Sequence, residues 1–165
     1  MRASYLETVE ELAGAPDEFA RAFRKFPAEL LRWCPDAWDA IPGEMFSAQE
    51  QACHLRDIET EGYHQRFDRL LREEGPELAS IDGYALARER RYGEQDALEA
   101  LAAFRCARAK TVELLAGLAE RDWRRRGSFA EYGAVTTAGL THVLRSHDQQ
   151  HLACMHWLLA KAEAR

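Results

Sequence analysis

Residues 136–160 read TTAGLTHVLRSHDQQHLACMHWLLA, and two patterns in this stretch indicate the architecture of the protein. Its apolar residues recur every three or four positions, which predicts one long helix with a buried face. The same face carries His147 and His151, and side chains four positions apart stack on one side of a helix. A neutral imidazole is the commonest metal ligand, so the two histidines can bind one ion together.

A second helix begins with a recognisable start signal. Ser47-Ala48-Gln49-Glu50 is a capping box, in which the first and last side chains bond each other's backbone amides. The helix is predicted to run to about Glu74, because Gly75-Pro76 stops it. His54 lies beside Ile58 on the helical wheel, so it is predicted to point into or along the core.

Two further helices complete an all-α prediction. A first helical stretch covers roughly residues 4–26, with an interruption at Gly14-Ala15-Pro16-Asp17, and a third helix spans about residues 95–120. About twenty residues separate the second and third helices, with a short helical turn near residues 84–91, and antiparallel neighbours need less. Because that connection can run the length of the bundle, the sequence predicts a four-helix bundle with up-down-down-up order.

Composition limits the kind of protein this chain can be. Its 165 residues suit one domain, predicted to cover residues 1–165. The formal net charge of -6 argues against a general nucleic-acid-binding protein, since such proteins usually carry a basic face. No apolar stretch approaches the length of a membrane span, and the acidic N-terminus lacks the apolar core of a secretory signal. The sequence therefore predicts a cytoplasmic protein without nucleic-acid or membrane partners.

The histidines form the strongest candidate site. A single histidine on an apolar helix face is usually a hydrogen-bonded core residue. Three inward-facing histidines on two helices, His54, His147 and His151, favour instead a metal site with positions open to water or substrate. Cys154 follows His147 by about two turns, roughly 10 Å along the axis, so it is not expected to be a ligand. Asp148 stands where zinc proteases of the HExxH type have glutamate, which argues against such a protease.

Charged residues near the histidines are candidates for supporting roles. Glu50 lies one turn before the first histidine and is a candidate proton acceptor in catalysis. Asp57 and Asp148 are candidates to accept the second ring proton of a metal-bound histidine, although both can be ordinary helix acids. Arg108 falls on the apolar seam of the third helix. There it can hold an anionic substrate group or, more commonly, pair with Glu61 or Asp148.

Several short motifs, taken in order, match a known sequence pattern. They are Phe46–Glu50 with His54–Asp57, Gly75-Pro76 with Asp82, Phe104 with Arg108, Asp122-Trp123 before Gly127, and Gly133 with Thr136-Thr137 and His147–Leu152. Together they resemble the DinB-like (damage-inducible) metalloprotein superfamily, which is distinct from the translesion DNA polymerase of the same name. Phe46 stands where the family often has tryptophan, a packing difference that leaves the histidines intact.

The resemblance implies the same bundle and assigns His54, His147 and His151 as ligands of one divalent metal ion, zinc, nickel or iron. It also implies homodimers and, in some relatives, transferases or isomerases that use a low-molecular-weight thiol as cosubstrate. We therefore expect a metal-dependent enzyme that acts on a small molecule, of the thiol-dependent transferase/isomerase or hydrolase type. Glu50 and Arg108 are its expected catalytic residues.

Two other functions stay open at this point. A di-iron carboxylate bundle would use Glu61-x-x-His64 and Asp148-x-x-His151, which have the required spacing, although the other two helices offer no obvious bridging glutamates. A non-catalytic metal-binding or dimerisation module is the other alternative. The number of ions bound per chain distinguishes the di-iron bundle from a three-histidine site.

Overall fold

The computed structural model describes residues 2–38, 43–130 and 132–165, with side chains from Tyr5 onward. These residues form the helices α1 (Arg2–Phe23), α2 (Ala48–Asp57), α3 (His64–Arg72), α4 (Gly83–Arg90), α5 (Ala97–Ala116) and α6 (Thr137–Glu163). A π-helical segment, Ile58–Tyr63, joins α2 to α3 in one continuous helix.

Helix α1 contradicts the predicted interruption at Gly14–Asp17, because it runs unbroken through Pro16. Proline lacks the backbone N–H that would bond the carbonyl four residues earlier, which here is that of Leu12. Arg108 on α5 supplies the missing donor, since its Nη1 lies 3.2 Å from the carbonyl oxygen of Leu12. A side chain from a neighbouring helix therefore compensates for the proline.

The start of α2 is as predicted, and its continuation is not. Ser47 and Glu50 form the full capping box, with the Glu50 carboxylate accepting the Ser47 amide at 2.9 Å. The i→i+5 bonding of Ile58–Tyr63 then places about one more residue in a turn than an α-helix does. Residues after this segment are consequently displaced from the positions that a regular helical wheel gives them. Helix α3 ends at Arg72, slightly before the predicted stop.

The directions of the four long helices follow from the two clusters of buried apolar side chains. One cluster combines the end of α1 with the beginnings of α2 and α5 and the end of α6. The other combines the beginning of α1 with the π-segment and α3, the end of α5 and the beginning of α6. Helices α1 and α6 therefore run one way, and α2–α3 and α5 run the other. This is the predicted up-down-down-up four-helix bundle.

A small sheet at one end of the bundle was missed by the all-α prediction. Strand β1 (Glu77–Leu78) pairs in parallel with β2 (Arg126–Phe129), which pairs antiparallel with β3 (Gly133–Thr136). Two-residue and four-residue strands are too short for alternation to be recognisable in a sequence. The sheet brings Phe129 against α3, where it becomes part of the site described below. Within the described ranges, no helix is both long and apolar enough to cross a bilayer.

Candidate metal centre

His54 from α2 and His147 and His151 from α6 meet in the interior of the bundle. The Nε2 atom of His147 lies 3.3 Å from that of His54 and 3.1 Å from that of His151. Suitable ring nitrogens of all three lie within 4.8 Å of one another. His54 and His151 are buried, and His147 is half-buried. The structure thus brings together the three side chains that the sequence singled out, and we refer to them as the histidine cluster.

Gln51, one turn before His54, fixes the proton of one imidazole. Its Nε2 donates to the carbonyl oxygens of Glu44 and Phe46, at 3.4 and 3.3 Å, which leaves its Oε1 to face His151. That Oε1 lies 2.6 Å from Nδ1 of His151, and an amide oxygen can only accept, so Nδ1 of His151 carries the proton. The Nε2 atom of His151 therefore presents a lone pair to the middle of the cluster.

The donor set suits a cation. A neutral His147 can donate its Nε2 proton to only one of the two neighbouring Nε2 atoms, so the three Nε2 atoms cannot all find hydrogen-bond partners in one another. Burial lowers the pKa of all three imidazoles well below the ordinary histidine value, and charge on a neighbouring histidine lowers it further. The rings are thus held neutral, as metal-binding imidazoles are.

Glu44, in the loop before α2, is the carboxylate that reaches the histidine cluster. Its Oε1 lies 3.8 Å from Nε2 of His54, and its Oε2 lies 3.5 Å from Nε2 of His151. Burial raises the pKa of the Glu44 carboxyl above its ordinary value. Sequence reasoning missed Glu44 because a loop residue belongs to no helical periodicity, and no spacing rule connects it to the histidines.

The first turn of α4 packs directly on this region. A Cβ atom added to Gly83 would lie 2.9 Å from Oε1 of Glu44 and 2.9 Å from Cε1 of His54. Only glycine therefore allows α4 to approach so closely. The short helix predicted in the linker thus covers one side of the histidine cluster. The Nδ1 atom of His54 is buried and has no hydrogen-bond partner among the described residues.

A cavity of about 160 Å³ opens onto the histidine cluster. Its wall contains two of the histidines, and the remaining lining is a mixture of aromatic, aliphatic, polar and charged side chains. The lining residues are Glu44, His54, Ile58, Tyr63, Arg66, Ser80, Ile81, Phe129, Tyr132, His147 and Gln150. The cavity can hold a small molecule or the end of a larger one.

Glu50, the predicted proton acceptor, has a different set of contacts. Its Oε2 accepts hydrogen bonds from the amide and the hydroxyl of Ser47, at 2.9 and 2.7 Å. It lines a separate cavity with Tyr84 and Arg88, and it is absent from the lining of the histidine cavity. The structure thus places the Glu50 carboxylate in a helix cap and does not bring it to the histidines.

Arg108, the other predicted catalytic residue, is buried in a closed group of charges. Its five N–H donors are all used, by both carboxylate oxygens of Glu59, both of Asp148 and the carbonyl oxygen of Leu12. No donor is left for a substrate anion, so the expected role in substrate binding does not fit this geometry. We refer to Arg108, Glu59 and Asp148 as the arginine cluster.

Of the alternatives for Arg108, the pairing with Asp148 is correct and that with Glu61 is wrong. Glu59 in the π-segment is buried and pairs with Arg108, while Glu61 pairs with Arg90 at the surface. Asp148 is consequently occupied by Arg108 and does not orient a histidine ring.

The expectation that Asp57 orients a histidine is also wrong. Its carboxylate accepts from Arg56 Nε at 2.6 Å and from the Tyr92 hydroxyl at 2.8 Å, and it pairs with Arg90. Gln51 has the orienting role instead, through His151. An amide in the middle of a helix gives no sequence signal of this kind, because glutamine is common at solvated helix positions.

The di-iron pattern does not assemble either. Of its residues, Glu61 pairs with Arg90, Asp148 pairs with Arg108, and Nε2 of His64 lies 3.0 Å from the carbonyl oxygen of Ala107. Cys154 is buried and lies outside the histidine cluster. Among the described residues, the histidine cluster is the group of side chains that could hold an ion.

Comparisons with known proteins agree with the fold. A sequence model described as the DinB superfamily matches residues 11–155. No curated protein matches the sequence. The structure of YfiT from Bacillus subtilis, described as "a probable metal-dependent hydrolase with an unusual four-helix bundle topology", superimposes with a TM-score of 0.83 at 17% identity. The match covers 98% of this chain and 87% of that chain, and at this identity it shows a shared fold.

Proposed function

Since the chain belongs to the DinB superfamily, we propose that the histidine cluster binds one divalent metal ion and that the protein is a metal-dependent hydrolase. The observation that carries the proposal is the convergence of three Nε2 atoms at separations of 3.1 and 3.3 Å. Two nitrogens about 2.1 Å from one ion lie about 3.0 Å apart at a right angle and about 3.4 Å apart at a tetrahedral angle. The two separations from Nε2 of His147 fall between these values.

The preorganisation of the cluster supports the same proposal. Gln51 holds the lone pair of His151 inward, as the partners of metal-bound histidines do. Three imidazoles leave further positions open to water and substrate, and open positions are typical of catalytic sites. A divalent ion at this place would lower the pKa of a coordinated water and polarise a carbonyl or phosphoryl oxygen.

We assign the role of proton acceptor to Glu44, in place of the expected Glu50. The Glu44 carboxylate lies beside two of the three histidines, with one oxygen directed at each, and it lines the cavity in which a substrate would sit. A general base must lie within hydrogen-bond reach of the proton that it takes, directly or through one water. The carboxylate of Glu50, bonded to Ser47, does not fulfil this condition.

The central experiment combines metal analysis with two matched variants. We expect the purified protein to bind one zinc, nickel or iron ion per chain, and E44Q and E50Q to keep it. E44Q should lower the hydrolysis of 4-nitrophenyl carboxylate or phosphate esters by about a hundredfold, the usual contribution of general acid–base catalysis. E50Q should leave the rate nearly unchanged, although it removes one half of a helix cap.

Three results would contradict the proposal. Absence of a stoichiometric ion would remove the metal site, and two ions per chain would restore the di-iron alternative. A metal-loaded protein that hydrolyses none of the esters would favour the non-catalytic module. The same protein is also to be assayed with low-molecular-weight thiols and an electrophile, because conjugation without hydrolysis would identify the thiol transferase that the resemblance implies. Homodimers and a cytoplasmic location stay predictions.

A further inference from the structure

Tyr132 is an aromatic residue at the rim of the histidine cavity, and the mechanism above does not use it. It is 59% exposed, yet it belongs to the cavity lining together with the buried Phe129 and Tyr63. A ring this exposed contributes little to the hydrophobic core, because a core is stabilised by the apolar surface that it removes from water. Its place at the cavity makes the ring available to a ligand.

A tight hairpin holds Tyr132 in this place. Strands β2 and β3 pair Phe129 with Gly133, and the amide of Tyr132 donates to the carbonyl oxygen of Phe129 at 2.9 Å. Gly133 has a φ of +76°, the left-handed conformation that short hairpin loops use and that glycine adopts without strain. The ring of Tyr132 also stacks on that of Phe129, with their planes 23° apart. The position of the ring is therefore set by the fold.

Tyr132 is the outermost member of a wall of planar groups that leads to the histidine cluster. The ring centre of Phe129 lies 4.9 Å from that of Tyr132 and 4.5 Å from the central guanidinium carbon of Arg66. That carbon lies 5.0 Å from the ring centre of Tyr63, which lies 5.9 Å from that of His147. All five side chains line the cavity. One side of the cavity is thus flat groups from the exposed rim to a candidate metal ligand.

The cavity has room for one ring. Its volume is about 160 Å³, and an apolar protein cavity of about 150 Å³ binds benzene. Ile58 and Ile81 add apolar surface to the lining. A planar apolar group therefore matches both the volume of the cavity and the shape of its wall.

We propose that the substrate carries an aromatic ring and that Tyr132 is the residue that selects it. The ring packs against Tyr132 and Phe129, and the bond to be hydrolysed faces the histidine cluster. Stacked and edge-to-face aromatic pairs attract each other beyond what their buried area gives, and an aliphatic ring of the same size lacks this attraction. As a statement about the substrate, this inference rests on the proposed hydrolase function. As a statement about the binding of aromatic groups, it does not.

Binding of two neutral alcohols tests the inference without turnover. Benzyl alcohol carries an aromatic ring, and cyclohexylmethanol carries a saturated ring of similar size. NMR titration of the purified protein gives a dissociation constant for each alcohol. Y132L should reduce the preference for benzyl alcohol, expressed as the ratio of the two constants, by about threefold to tenfold. A ratio that Y132L does not change would overturn the inference.

Y132F is the matched control, because it keeps the ring and removes only the hydroxyl. It should retain the wild-type ratio of the two dissociation constants. A ratio reduced equally in Y132F and Y132L would mean that the hydroxyl recognises the ligand, and would overturn a role for the ring. Both variants should unfold at nearly the same urea concentration as the wild type, since the side chain is exposed. A change in the ratio then reports binding and not a loss of structure.

Turnover separates the inference from the proposed function. Benzyl acetate and cyclohexylmethyl acetate release primary alcohols of similar acidity, so they differ mainly in the ring. Y132L should lower the ratio of their kcat/KM values, benzyl over cyclohexylmethyl, by about threefold to tenfold. Hydrolysis of both esters with the same ratio in wild type and Y132L would overturn the inference and leave the hydrolase standing. Alcohol binding that depends on the ring of Tyr132, without hydrolysis of either ester, would do the reverse.

Discussion

Two buried polar clusters lie side by side in the bundle, both with residues from the continuous α2–α3 helix and from α6, and they are built on opposite principles. His147 belongs to the histidine cluster and its neighbour Asp148 to the arginine cluster. In the arginine cluster, each of the five donors of Arg108 meets an oxygen atom. In the histidine cluster, the three close Nε2 atoms cannot all find hydrogen-bond partners in one another.

This difference shows which of two buried clusters is available for chemistry. A buried charge is tolerated when its hydrogen bonds are complete, and a complete group has nothing left with which to bind a ligand. The arginine cluster therefore stabilises the packing of α1, α5 and α6. The histidine cluster is complete only when something positive lies among its nitrogens. Arg108 attracted attention in the sequence because a charge on an apolar seam is unexpected, yet the structure assigns it to stability.

The largest expected effect is the loss of the metal ion when either histidine of α6 is replaced. H147A and H151A should each abolish stoichiometric metal binding, because two imidazoles hold an open-faced ion poorly. In the absence of metal, the same variants should change the free energy of unfolding by about 1 kcal/mol, the ordinary result of a single substitution. Metal analysis after dialysis and urea unfolding of the metal-free proteins measure the two effects. A variant that keeps its ion would show that the histidine cluster is not the metal site.

The arginine cluster should show the opposite pattern. R108A leaves the carboxylates of Glu59 and Asp148 buried without their partner, and should lower the free energy of unfolding by about 3–5 kcal/mol. Arg105 lies on the same helix as Arg108, at the surface, where it pairs with Asp17 of α1. R105A should lower the free energy of unfolding by less than about 1 kcal/mol. Urea unfolding of the metal-free proteins gives both values. A small effect of R108A would mean that the cluster is not the closed structural unit described here.

A smaller effect is expected where the histidine cluster is oriented by a neighbour. Q51A removes the oxygen that fixes the Nδ1 proton of His151, and should weaken metal affinity by about tenfold to a hundredfold. Gln49 provides the control, because it is also buried on α2 but donates to the carbonyl oxygens of Tyr92 and Gly93. Q49A should lose stability without losing metal affinity. Competitive titration with a chelator measures the metal affinities. Equal losses of affinity in Q51A and Q49A would show that Gln51 does not orient His151.

The smallest effect concerns Asp57, whose carboxylate is as fully bonded as those of the arginine cluster. Burial would raise its pKa, but hydrogen bonds from Arg56 and Tyr92 and the charges of Arg56 and Arg90 outweigh burial, so the pKa lies below its ordinary value. A folded-state pKa below the unfolded one stabilises the protein above the ordinary value of about 3.9, and this contribution disappears as the pH falls through the folded pKa.

The variant D57N tests whether the Asp57 carboxylate stabilises the folded protein in this pH-dependent way. The difference in unfolding free energy between wild type and D57N should be constant near neutral pH and should shrink as the solution is acidified below about pH 4. Urea unfolding at a series of pH values gives the difference directly. A difference that grows on acidification would mean that the carboxylate is destabilised in the folded protein, in contrast to the bonding described for it.

Much of this architecture is local in the sequence and was therefore predictable. The capping box at Ser47 needs four residues, and the spacing of His147 and His151 needs one helical turn. The long connection between α3 and α5 predicted their parallel order. The helical wheel and the family resemblance both placed His54 with the other two histidines. The wheel was reliable at this position because His54 precedes the π-segment.

What the sequence did not predict depends on distant partners or on irregular backbone. Pro16 stays inside α1 because Arg108, far along the chain, bonds the carbonyl that the proline leaves free. Glu59 and not Glu61 is the partner of Arg108, and both lie in the irregular backbone of the π-segment, where a regular helical wheel gives only approximate directions. Glu44 reaches the histidines from a loop, and loops have no periodicity from which a direction can be deduced.

The π-segment Ile58–Tyr63 also determines where this chain tolerates a change of length. In a regular α-helix, deletion of one residue turns everything after it by about 100° and separates the two halves of a buried face. A π-turn already contains about one residue more than an α-turn, so loss of the exposed Thr60 converts it to regular helix and leaves both flanks in place. His54 on one side and Phe67 on the other would keep their neighbours. The single inserted residue thus acts as a spacer that can be gained or lost without rebuilding the bundle.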